Sequence, residues 1–106
     1  MFIAWTTVAN QADADRLAAA VIAQNLAVCA QIDGPIVSHY RWQGKGERSG
    51  EFRLMFKCLP ERIDALGQTI ASLHPYNTPE WIVIRAERVG EKYLSWARAN
   101  SSTPPL

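Results

Sequence analysis

The chain has 106 residues, 48% of them hydrophobic, and 11 basic against 10 acidic side chains leave a formal net charge of +1. That length predicts one domain with a real but small core, here residues 1–99, with residues 100–106 as a flexible polar tail. Scattered, near-neutral charge excludes a duplex-nucleic-acid patch and an anionic-membrane patch, and no apolar run approaches the length of a membrane span.

In chain order, Phe2 to Thr7 is a short apolar, β-branched run that reads as a first strand and not as a signal peptide, since no charged segment precedes it. Asn10 stands as an N-cap, with Asp13 and Asp15 placing negative charge in a first helical turn. Ala14, Leu17, Ala18, Val21 and Ile22 then trace one apolar face at helical spacing, ending near Asn25. Ala27 to Ile32 reads as a second strand, interrupted by Asp33-Gly34-Pro35 and resumed from Ile36 to Trp42. The polar, Gly-rich stretch Gln43 to Gly50 predicts a hairpin turn. Glu51 to Cys58 alternates cleanly, with Phe52, Leu54, Phe56 and Cys58 on the core face.

Pro60 suits a first helical position, and Ile63, Leu66, Gly67, Ile70 and Leu73 trace a second amphipathic helix. Pro75 and Pro79 then force a stop and a stiff link, His74-Pro75-Tyr76-Asn77-Thr78-Pro79-Glu80, into a fourth strand from Trp81 to Ala86. A last helix runs from Glu91 to Ala99. The order β-α-β-β-α-β plus a C-terminal helix predicts an α+β fold, the ferredoxin-like split βαβ arrangement.

Two helices cover one face of such a sheet. The other face is apolar as well, because Trp81-Ile82-Val83-Ile84 is apolar on both sides and the hairpin adds Tyr40, Trp42 and Met55. A sheet apolar on both sides is covered on both sides, here by copies of the chain itself. Tyr40, Trp42, Met55 and Trp81 are therefore expected at contacts between subunits of an obligate homo-oligomer.

The chemistry available is sparse. Cys29 and Cys58 fall in separate strand-like runs without C-x-x-C or zinc spacing, which reads as two buried, reduced thiols in a cytoplasmic protein. There is no phosphate-binding Gly-rich loop, and the core-facing aromatics of the third strand do not form an RNA-binding platform. No catalytic constellation emerges, so the chain is read as a non-enzyme. His74, His39, Cys29, Cys58, Met55, Glu51 and Glu80 are of the types that hold copper or another divalent cation, although no local spacing gathers them.

Several motifs in one order resemble the CutA divalent-cation tolerance family. They are Leu26-Ala27-Val28-Cys29-Ala30, Tyr40-Arg41-Trp42-Gln43-Gly44-Lys45, Glu51 through Lys57, His74-Pro75-Tyr76 with Thr78-Pro79-Glu80, and Tyr93-Leu94-x-Trp96. The resemblance implies a ferredoxin-like subunit in a tight homotrimer whose long hairpins pair between neighbours. It implies a cytoplasmic protein of divalent-cation tolerance, copper above all, without catalytic activity. It also implies a metal ligand at His74, with Glu51, Glu80, Tyr76 and Cys29 as supporting or cleft residues. Some relatives carry a Cys near the end of the first strand and a His before the His-Pro pair; Thr6 and Leu73 stand there in this chain. The alternative is a trimer like the PII-type signalling proteins, holding a small molecule in the cleft between subunits. An acyl-phosphate hydrolase on the same fold is disfavoured, because Thr6-Thr7-Val8-Ala9-Asn10 offers no anion-cradling Arg.

Overall fold

In the computed structural model, residues 1–101 are described. Strand β1 spans Phe2–Val8, helix α1 Gln11–Ala23, strands β2 and β3 Cys29–Trp42 and Lys45–Cys58, helix α2 Ile63–Leu73, strand β4 Ile82–Arg85 and helix α3 Glu91–Ala99. The four strands form one antiparallel sheet in the order β2-β3-β1-β4. This is the α+β, ferredoxin-like arrangement expected from the sequence.

Local chemistry sets the element ends. Asn10 caps α1, its side-chain oxygen accepting from the Asp13 amide at 2.8 Å, which satisfies one of the helix's unpaired N–H groups. Pro60 opens a 3₁₀ turn, Pro60–Arg62, that leads into α2. His74 leaves α2 in an extended conformation (φ −69°, ψ 135°), as a residue before proline must.

The hairpin is longer than the sequence pattern suggested. Gln43 and Gly44 both have positive φ (51° and 78°), the signature of a two-residue type I′ turn, and Trp42 pairs directly with Lys45. Residues 45–50, expected in a loop, are strand. Asp33-Gly34-Pro35 does not end β2 either. It forms a bulge between Asp33 and Ile36, where the Phe52 ring occupies the space a Cβ on Gly34 would need.

That bulge has a directional consequence. Gln31 opposes Met55 and Asp33 opposes Arg53, but beyond the bulge Ile36 opposes Glu51, Ser38 opposes Ser49 and Tyr40 opposes Glu47. Opposed residues share a sheet face, so the extra residue rotates Tyr40 and Trp42 onto the Met55 side. One face of the sheet carries Ala4, Thr6, Val8, Leu54, Phe56 and Cys58, all fully buried beneath Leu17 and Val21 of α1 and Leu66 and Ile70 of α2. The opposite face carries Ile3, Trp5, Met55, Ile82 and Ile84 in register, with Ile82 and Ile84 about half exposed.

Trp81 does not lie with them. Its ring packs on the helix side, 6.4 Å from Phe56 and against Gly67, as part of the layer around the core. Trp81 shares a face with Val83, while Ile82 and Ile84 supply the apolar residues on the other side. Near the C-terminus, Ser101 is buried, and its carbonyl accepts from the Arg62 guanidinium at 2.9 Å. Of the expected flexible tail, residues 100–106, Asn100 and Ser101 are described, and residues 102–106 lie outside the described residues.

Candidate functional site: a cleft walled by a histidine-latched loop

The loop from His74 to Glu80 crosses the end of β1 because of its buried imidazole. His74 is 9% exposed, and its Nε2 lies 2.9 Å from Thr6 Oγ1 and 3.0 Å from the Thr7 carbonyl. Thr6 donates its single hydroxyl proton to the Glu80 carbonyl at 2.7 Å. The hydroxyl must then accept from His74, so Nε2 carries the ring proton. Nδ1 is left as an acceptor and receives the Tyr76 amide at 3.1 Å. The neutral imidazole thus satisfies every partner around it. Burial, with a smaller push from Arg16, holds the His74 pKa below its ordinary 6.5 against the opposing Thr7 carbonyl, Asp13 and Glu51.

Tyr76 extends the chain of contacts to the hairpin. Its ring lies 5.0 Å from the His74 ring, and its hydroxyl donates to Glu51 Oε2 at 3.1 Å. Burial first and Glu51 second raise the phenol to about 12, so it remains a neutral donor at physiological pH. Between loop and hairpin opens a cleft of about 660 Å³, lined by Thr7, Tyr40, Trp42, Ser49, Glu51 and Tyr76 with residues 77–80.

The sequence-expected site residues therefore separate into groups. Glu51, Tyr76 and Glu80 come together in the cleft with Tyr40 and Trp42. His74 stands behind the wall with both ring nitrogens committed inside the protein, so a metal at Nδ1 would have to displace the Tyr76 amide. Cys29 pairs with Lys57, six residues along β3 from Glu51, or roughly 20 Å at strand rise, so it does not reach the cleft within one subunit. Among the described residues, no group of three or more His, Cys, Asp or Glu is placed to hold a metal ion. Cys58 is buried and donates to the Leu26 and Leu59 carbonyls, and burial raises its thiol to about 11.

Sequence reasoning missed Thr6, which it noted only as standing where some relatives have Cys. A signal was available: Thr6 alternates with Ala4 and Val8, so its hydroxyl had to be buried and hence bonded.

A four-stranded antiparallel sheet with two helices on one face and an apolar opposite face defines a ferredoxin-like subunit. The CutA1 divalent ion tolerance family matches over residues 2–100. The divalent-cation tolerance protein CutA of Escherichia coli is 37% identical over 94 residues, spanning 89% of this chain and 84% of that one. The solved structure of CutA from Synechococcus elongatus superposes with a TM-score of 0.91 at 39% identity, covering 95% of this chain and 89% of that one. The structure described as the periplasmic divalent cation tolerance protein CutA of Archaeoglobus fulgidus gives 0.90 at 28% identity, covering 96% and 100%. The chain belongs to the CutA1 divalent ion tolerance family.

Proposed function

We propose that the chain acts in divalent-cation tolerance as a cytoplasmic, non-enzymatic homotrimer that binds copper weakly. The open sheet face supports the assembly: Ile82, Ile84, Tyr40 and Trp42 are each about half exposed in the lone subunit, on the same side as Met55 and Trp5. Self-association removes that surface from water. Two cysteines without a disulfide favour a reducing compartment, and no helix among the described residues is long and apolar enough to cross a membrane.

The observation that carries weak binding is the engagement of both His74 nitrogens. With the imidazole occupied and the Tyr76 phenol kept protonated, the acidic residues among those lining the cleft are Glu51 and Glu80, beside the neutral Ser49, Asn77 and Thr78. Two hard oxygen donors make a poor copper site alone, and the remaining ligands come from a neighbouring subunit or solvent. His74 positions the loop that carries Glu80 and does not bind the ion.

Calorimetric titration of the assembled protein with copper(II) tests this. Weak binding that is reduced but not lost in His74→Ala, where the loop carrying Glu80 is loosened, and that is lost in Glu51→Gln/Glu80→Gln is the expected result. A tight, stoichiometric site abolished by His74→Ala would make the imidazole the ligand and overturn the assignment.

A further inference from the structure

The cleft has a chemical character that copper does not use. Three aromatic side chains, Tyr40, Trp42 and Tyr76, line it together with two carboxylates, Glu51 and Glu80, and neither Lys nor Arg is among its lining residues. The hairpin register explains the sign. His39 and Arg41, with Arg48 opposite His39, alternate onto the other side of the ribbon from Tyr40 and Trp42. Three cations lie in register on that face: Arg53, whose guanidinium is held by Asp33 at 3.4 Å, Lys57, far along β3 with its Nζ 5.6 Å from the Tyr93 ring, and Lys45, out at the turn opposite Trp42. An anionic ligand such as a nucleoside phosphate would meet carboxylates here.

Glu51 is also held in place. Tyr76 donates to its Oε2, and Tyr76 is itself fixed through its amide by His74. One carboxylate oxygen is thus oriented by the latch. A fixed carboxylate beside aromatic faces is the combination that attracts a cation carried on an apolar body.

We propose that the cleft between the hairpin and the 74–80 loop binds a small organic cation, an alkylated ammonium on a compact apolar frame. Its charge lies against Glu51, with Glu80 beside it, and its frame lies against Tyr40, Trp42 and Tyr76. This site does not depend on copper binding. It names a ligand class for a small molecule in the cleft, and it disfavours the nucleotide that a PII-like trimer would suggest.

The test uses choline and its neutral isostere 3,3-dimethylbutan-1-ol as probes, with ATP as the anionic comparison, each titrated calorimetrically into the intact assembly at constant ionic strength. Choline is expected to saturate at one site per subunit and to bind about tenfold more tightly than the isostere, the scale of a quaternary ammonium held against aromatic faces. Glu51→Gln, which keeps the volume and removes the charge, should erase that preference. Tyr76→Phe should weaken it while the assembly persists. Equal affinity for choline and the isostere, preferential ATP binding, or undiminished choline binding in Glu51→Gln would overturn the proposal. So would the absence of saturable binding, which would mean that a neighbouring copy fills the cleft; copper titration of the same sample then shows separately whether the metal reading stands.

Discussion

The Thr6 hydroxyl and the His74 imidazole, 68 positions apart in sequence, meet at 2.9 Å in the buried interior, and each completes the other's hydrogen bonding. Thr6 passes its proton to the Glu80 carbonyl while accepting from Nε2. Two ends of the 74–80 loop are thereby tied to one point on β1. The loop forms a wall of the cleft because of this tie, with the Tyr76 hydroxyl set against Glu51 of the hairpin and Glu80 among the lining residues.

Replacing Thr6 by Val keeps the shape and removes the hydroxyl. The Glu80 carbonyl then loses its donor, and His74 Nε2 keeps the Thr7 carbonyl alone. Leaving a buried polar group unsatisfied costs about 1–3 kcal/mol, so Thr6→Val should lower the denaturant midpoint at fixed subunit concentration by a corresponding amount. An unchanged midpoint would mean that the tie contributes nothing to stability.

Acid should open the same latch. A second ring proton would sit on Nδ1, facing the Tyr76 amide at 3.1 Å, so two donors would oppose each other. Because the folded pKa of His74 is held below 6.5, the unfolded chain binds the proton more readily. The stability from this group is present above pH 6.5, falls as pH drops from there through the folded pKa, and changes no further below it. Unfolding followed between pH 7 and 5 should show this slope in the wild type and a shallower one in His74→Gln. Equal slopes would remove His74 as its source.

The hairpin aromatics should be needed for assembly more than for the subunit core. Trp42 is 55% exposed in the lone subunit. In Trp42→Glu a charge would enter an apolar contact, a penalty of several kcal/mol, so the variant should dissociate at concentrations where the wild type is associated. Size-exclusion chromatography that finds both at the same mass would place Trp42 outside the contact.

Cys58 should be inert in the native protein. With its thiol raised to about 11 by burial and committed to two carbonyls, the reactive thiolate is scarce at pH 8. Modification of Cys58 by a disulfide reagent should follow unfolding and accelerate with denaturant. Rapid labelling of folded protein would contradict the burial.

Much of the fold was legible because it is written in local patterns. Asn10 and Asp13 mark the start of α1, the alternation of Phe52, Leu54, Phe56 and Cys58 marks the core face of β3, and Pro75 marks the end of α2. The distal hairpin was not legible, since Lys45 to Gly50 is polar and Gly-rich and carries no apolar alternation; its strand structure comes from pairing with β2 through a two-residue turn. The bulge at Asp33 is nonlocal for the same reason, being fixed by the Phe52 ring against Gly34. For the site, residue spacing did not gather Glu51, Glu80 and Tyr76; only the family resemblance named them together, and it named Cys29 with them. The occupation of His74 was not legible, because its partners, Thr6 and Thr7, lie on a strand at the other end of the chain.

The central claim is that the second apolar sheet face is covered by copies of this chain, three to an assembly, and sedimentation equilibrium at micromolar subunit concentration measures it most directly. The expected mass is three times the 11.8 kDa subunit, with dissociation coupled to unfolding so that the melting temperature rises with protein concentration. A folded species of 11.8 kDa at that concentration would contradict the account.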